Sequence, residues 1–164
     1  MKRIICTALL LALTVTFFSC SEKKQYRNDL TCAQLLDTAE EQIPVDMGYD
    51  SLGGDHIKYN FDGTELDDDH AFRHSRASED INEIGIFHAP DSTARMELER
   101  LTDSYLEAIL EEKGAFIASY APKELEKLKK AEVKTFGNYV AYAILSDDDR
   151  AVFFDTVEKM LTEN

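Results

Sequence analysis

The densest run of metal-competent side chains is Asp67-Asp68-Asp69-His70, with Asp62 and Glu65 just before it. Carboxylates at this density are the hard oxygen ligands that calcium and magnesium prefer. The spacing departs from the helix-flanked calcium loop. With Gly63 set at the sixth position, Lys58 falls first and Asp69 last, where an Asp and a bidentate Glu belong. Asp67, Asp68, Asp69 and His70 therefore stand as weak metal candidates beside the blander reading of a solvated acidic loop, and no cofactor is expected. His70 and His74 are four apart, which aligns two imidazoles only on a helix, whereas residues 71–75 read as a strand without a third ligand nearby. His56 and His88 are isolated. Asp147, Asp148 and Asp149 stand at a helix start, where acids favourably meet the macrodipole.

Nucleophilic, phosphate-binding and zinc-protease motifs are missing: the sequence has no G-x-S-x-G, P-loop, glycine-rich dinucleotide turn or H-E-x-x-H. Acid pairs abound, but a pair carries meaning only where side chains converge in space, so no catalytic residue is nominated. An uncharacterised envelope enzyme is the third-ranked reading.

Cysteine chemistry gives the strongest expectation. Lys2 and Arg3 precede an apolar run from Ile4 to Phe18 that ends at Ser19-Cys20 and gives way abruptly to Ser21-Glu22-Lys23-Lys24-Gln25. The run is shorter than the roughly 20 apolar residues of a spanning helix. It resembles a lipoprotein signal with its lipobox, although Phe17 stands where leucine is usual. The resemblance implies cleavage after residue 19 and a diacylglycerol thioether on Cys20, several acyl chains holding a protein far better than one. The alternatives are an ordinary secretory signal and an uncleaved anchor. Cys6 leaves with the signal, so Cys32 is the single remaining thiol and no internal disulfide can form. A first-turn position favours a thiolate, but without a resolving partner Cys32 reads as a passive, partly buried thiol.

The formal charge is −14, and without Lys2 and Arg3 the remaining 16 basic residues face 32 acidic ones, or −16. That charge disfavours nucleic acid as a partner. Lys123, Lys127, Lys129, Lys130 and Lys134 are interleaved with Glu124, Glu126 and Glu132, the pattern of a solvated, ion-paired face. With 44% hydrophobic and 10% aromatic residues, the chain can build one ordinary core.

The elements that would position any site follow from local signals. Thr31 and Gln34 form a capping box, with Leu30 and Leu35 as a hydrophobic staple, for a helix to about Gln42 that Pro44 stops. Residues 45–70 have no firm pattern beyond a possible helical turn at 55–59 before Asp62-Gly63. Ala71–Ser75 and Asn82–Ala89 predict strands, the second with Ile84 and Ile86 on one face and Phe87 on the other. Pro90-Asp91-Ser92 opens a long helix with Leu98, Leu101, Tyr105 and Ile109 as its stripe. Gly114 could bend or end it, or Phe116, Ile117 and Tyr120 could continue the stripe. Pro122 begins a short helix carrying Leu125 and Leu128. Glu132–Leu145 predicts a hairpin around Gly137-Asn138, with an uninterrupted second arm expected to be a central strand covered on both sides. In that arm Val140, Tyr142 and Ile144 should face one layer, and Ala141, Ala143 and Leu145 the other. Ser146–Asp149 caps a last helix packed through Phe153, Val157, Met160 and Leu161.

The run Ala77-Ser78-Glu79-Asp80-Ile81-Asn82-Glu83-Ile84-Gly85-Ile86-Phe87 resembles the acidic turn into an E-I-A-V-F strand, and Gly137-Asn138-Tyr139-Val140 the G-N-Y-V hairpin, of the bacterial lipoprotein domain of unknown function 4358 family. The long acidic helix between them and the proline-containing connection also fit. The resemblance implies architecture and location; the family has no assigned chemistry to carry over.

These readings combine into a signal at 1–19, a lipidated polar tether at 20–29 and one α+β domain at 30–164. The domain should hold an antiparallel sheet of about four strands, in the order helix, strand, strand, long helix, short helix, hairpin, helix, with helices mainly on one face. The expected function is a non-catalytic, lipid-anchored envelope protein that sits on the membrane through Cys20 and binds an envelope protein or other component. The alternative is capture of a cation or small cationic solute by the acidic surface. For a protein contact, Tyr49, Tyr59, Phe61 and Phe72 are the aromatic candidates, since their segment lacks core periodicity.

Overall fold

A computed structural model describes residues 24–49, 60–61, 69–77 and 80–162. Helix α1 (Cys32–Glu40) starts on the expected capping box: the Gln34 N–H donates to Thr31 Oγ1 at 3.2 Å, and the Thr31 N–H donates to Gln34 Oε1 at 2.9 Å. It ends two residues before Gln42, where the Gln42 and Ile43 N–H groups switch to three-residue turns onto Ala39 and Glu40. Then follow β1 (Met47–Tyr49), β2 (His70–Ser75), β3 (Glu83–His88), α2 (Ser92–Tyr120), α3 (Pro122–Lys129), β4 (Glu132–Phe136), β5 (Tyr139–Ile144) and α4 (Asp147–Thr162).

The strands form one antiparallel sheet in the order β1-β2-β3-β5-β4. The α+β class holds, with five strands among the described residues rather than about four. The additional strand, β1, pairs Met47 with Ser75 and lies in the segment whose sequence lacks alternation. Helix placement departs from expectation, because helices cover both faces. Helices α1 and α4 pack with Ile84, Ile86, Ala141 and Ala143, whereas α2 and α3 pack with Phe72, Phe87, Val140 and Tyr142. Strand β5 is buried at every position. An apolar strand with both faces dry needs a layer on each side, and its parity divides as expected: Val140, Tyr142 and Ile144 against Ala141, Ala143 and Leu145.

Local signals explain the rest. The Asp91 carboxylate accepts from the Thr93 and Ala94 N–H groups and starts α2. Gly114 does not end this helix, which runs unbroken to Tyr120. The glycine is buried, with Leu110 of its own helix and Leu125 of α3 3.4 and 3.8 Å from where its Cβ would stand, ordinary contact distances. Gly137 takes φ +62° in the β4–β5 turn, the left-handed region that a Gly-first hairpin turn requires. At α4, the Asp149 N–H donates to Ser146 Oγ, whose hydroxyl donates back to the Asp149 carboxylate at 2.6 Å.

Residues 24–29, read as part of a polar tether, lie against the domain. Lys24 and the Tyr26 hydroxyl both reach Glu158 of α4, the Arg27 N–H donates to the Leu161 carbonyl, and Tyr26 meets Phe136 edge-on. The Tyr139 hydroxyl donates to the Leu30 carbonyl at 2.6 Å. Burial, then the hydrogen bond and charge of Glu158, push the Tyr26 phenol up to about 12. Burial, then the neighbouring Cys32, Asp69 and Asp29, do the same for Tyr139. A phenol raised in the folded state contributes stability that is complete below its unfolded pKa near 10 and disappears as pH rises through about 12. The urea midpoint is therefore expected to drop between pH 9.5 and 11.5, and Tyr139→Phe should flatten that drop. An equal drop in the variant would remove Tyr139 from the account.

Candidate functional site

The described residues enclose a half-open cleft of about 430 Å³ between α2 and the end of the sheet where β2 and β5 finish and β3 begins. Strand parity builds its floor. Phe87 faces α2, so Gly85 and Glu83, two and four residues earlier, face the same way. Gly85 leaves space for the Tyr142 ring, since a Cβ there would collide with Tyr142 Cε1 and stand 2.8 Å from Phe72 Cδ1. The Tyr142 hydroxyl thereby reaches Glu83 Oε1 at 2.6 Å, and Tyr105 of α2 donates to the same oxygen at 2.7 Å. Glu83 also pairs with Ile144 across the β3–β5 ladder, which sets an aliphatic side chain beside the carboxylate.

The wall nearest α3 is a closed polar network. The Asn82 side-chain amide donates to Asp80 at 2.7 Å, and Lys127 donates to Asn82 Oδ1 at 2.9 Å while facing Glu124 at 2.8 Å and Asp80 at 3.2 Å. Burial disfavours the Lys127 ammonium, but Glu124 and Asp80 outweigh it and hold Lys127 above the usual lysine value. Burial likewise pushes Asp80 up, yet its hydrogen bonds with Glu124, the Asn82 backbone and Lys127 prevail, keeping it below the usual aspartate value. These bonds fix α3 to the segment entering β3. Ile81, Ile109, Ile117 and Leu128 supply apolar surface, with Glu112 and Lys113 on the exposed side of α2.

Of the sequence-nominated metal candidates, Asp67 and Asp68 lie outside the described residues. Asp69 is committed elsewhere: both its carboxylate oxygens accept from the Cys32 N–H, at 3.0 and 3.1 Å, and its carbonyl accepts from the Cys32 thiol and the His88 N–H. It caps α1. His70 and His74 share one face of β2 with Phe72 between them, and four extended residues separate their backbones by about 13 Å, too far to grip one ion together. Among the described residues no group of three His, Cys, Asp or Glu is arranged to hold a metal. Cys32 is fully rather than partly buried. His88 bonds Asn28 at 2.8 Å; His56, Asp62 and Glu65 lie outside the described residues, as do the 1–19 segment and Cys20.

The aromatic nominations also change. Phe61 and Phe72 are 1% and 5% exposed and pack on Phe87 in the core; Tyr59 and the Tyr49 side chain lie outside the described residues. Among the described residues the exposed aromatics are instead Phe116 at 64% and Tyr120 at 77%, one turn apart on α2 with their rings tilted and centroids 4.6 Å apart. Of the expected continuation of the α2 stripe, only Ile117 is buried. No described helix is long and apolar enough to cross a membrane.

Neither a curated protein nor a solved structure matches the chain. The model of the domain of unknown function DUF4358 matches residues 50–145, a span that contains β2, β3, α2, α3, β4, β5 and thus every described residue of the cleft lining. With more than half its length inside that match, this chain belongs to the DUF4358 family.

Proposed function

We propose that the protein is a lipid-anchored, non-catalytic binding module of the cell envelope that seats its ligand in the cleft between α2 and the sheet. The cleft itself carries this reading. Its polar groups are held in place before any ligand arrives, Glu83 by two tyrosine hydroxyls and Asp80 by Asn82 and Lys127, and pre-organised polar groups around an apolar floor are the usual make-up of a small-molecule site. Isoleucine methyl NMR of the full chain in non-ionic detergent, titrated with a mixed-charge panel of small solutes, tests it. Shifts should concentrate on Ile81, Ile109, Ile117 and Ile144, and Ala108→Trp at the cleft wall should abolish them. Shifts spread equally over Ile43, Ile84 and Ile86 on the opposite layer, or none with any solute, would sink the cleft as the seat.

The anchor rests on the hard apolar edge at Ser19-Cys20. Cys20→Ala is expected to accumulate as uncleaved precursor without incorporated fatty acid. Labelled fatty acid entering wild type and variant equally would refute lipidation at this cysteine.

A further inference from the structure

Building on the cleft as the binding seat, we infer that its ligand class is a small organic cation: a primary ammonium or guanidinium on a short apolar stem. Among the described residues the lining carries three carboxylates, Asp80, Glu83 and Glu112, against one ammonium, Lys113. Behind the wall, Lys127 is engaged by Asp80 and Glu124 together. Hydrogen-bond inventory points the same way. The Tyr105 and Tyr142 hydroxyls donate to Glu83 and the Asn82 side-chain amide to Asp80, so these three donors are already turned to the cleft's own acids.

His74 adds a separate observation. Its Nδ1 lies 3.0 Å from the Ser75 carbonyl oxygen, which can only accept, so Nδ1 carries a proton. Its Nε2 is shut off from solvent and has no hydrogen-bond partner, and His74 is part of the cleft lining. A buried ring nitrogen without a partner bears its full desolvation penalty. Ile109, Ile117 and Ile144 offer the stem an apolar bed. A carboxylate on the ligand would meet Glu83 and Glu112, and like charges brought together out of water repel strongly.

Four probes of matched stem, n-butylammonium, n-butylguanidinium, n-butanol and butyrate, separate the possibilities on the full chain in non-ionic detergent, read by isoleucine methyl NMR and calorimetry. The two cations should saturate and move Ile81, Ile109, Ile117 and Ile144, with butanol at least tenfold weaker and butyrate without effect. Glu83→Gln should weaken the cations at least tenfold. Glu112→Gln, on the exposed side of α2 and outside the core, should weaken them about threefold with unchanged thermal unfolding, so the result does not hinge on Glu83→Gln folding normally. Lysine blocked at both backbone ends is a further arm. Tighter binding than n-butylammonium assigns the cation to a polypeptide side chain, and weaker binding to a free solute; either supports the class. Butanol or butyrate moving the same methyls with equal affinity would overturn the cation while leaving the cleft as the seat. No response to any probe would overturn both.

Discussion

Gly85→Ala is expected to destabilise the domain by about 3 kcal/mol, the upper end of the usual range for forcing an extra carbon into a packed core. Gly85 sits on β3 between β2 and β5, paired with Phe72 and Tyr142. The added carbon would strike the Tyr142 ring edge and press on Phe72, both buried. Relief would have to come from the Tyr142 ring, which would pull its hydroxyl from Glu83. The measurement is urea unfolding at constant m-value. Coupling supplies an internal control, because in a Tyr142→Leu background the cost of Gly85→Ala should shrink, as it does for residues in contact. A loss below 1 kcal/mol in wild type, or an undiminished cost in the Tyr142→Leu background, would mean that another contact sets the price of this substitution.

Ile144→Ala is expected to cost roughly 2 to 4 kcal/mol, the range for deleting a large aliphatic side chain from a core. Ile144 is 2% exposed, flanked by β3, and packs in the layer beneath α2 and α3. Because it also lines the cleft, the substitution should enlarge the site and weaken any apolar stem bound there. A change well under 1 kcal/mol in reversible unfolding would place this end of β5 in water.

What the chain announces about itself is local. The Thr31 capping box, the Asp91 start of α2, the Gly137-Asn138 turn and the Ser146 cap are each written within four residues, and each forms as read. Layering was legible in one strand only: β5 has no polar face, which already demands cover on both sides, although an arrangement with helices mainly on one face was expected. The cleft was harder to see, because Glu83 meets Tyr105 and Tyr142 across 22 and 59 residues of chain. One clue was available, since placing Phe87 opposite Ile84 and Ile86 also turns Glu83 inward by strand parity. A charged residue with inward parity in an apolar strand points to a buried partner. The acidic run at Asp67–His70 drew attention through composition, whereas Asp69 spends its carboxylate on a backbone N–H 37 residues away. Phe61 and Phe72 were misread because their segment lacks periodicity, yet their partners Phe87 and Tyr142 come from regular strands.

The docking of residues 24–29 shortens the leash. With a lipid on Cys20, four residue steps separate the acyl chains from Lys24, which is held at Glu158, and fully extended chain covers at most about 14 Å in that distance. The contacts of this segment, Asn28 with His88 and Leu30 with Tyr139, lie at the ends of β3 and β5 opposite to Glu83 and Ile144. Six extended residues make that offset about 17 Å. A lipidated domain would thus stand close over the bilayer on its hairpin end, with the mouth beneath α2 turned away from the membrane.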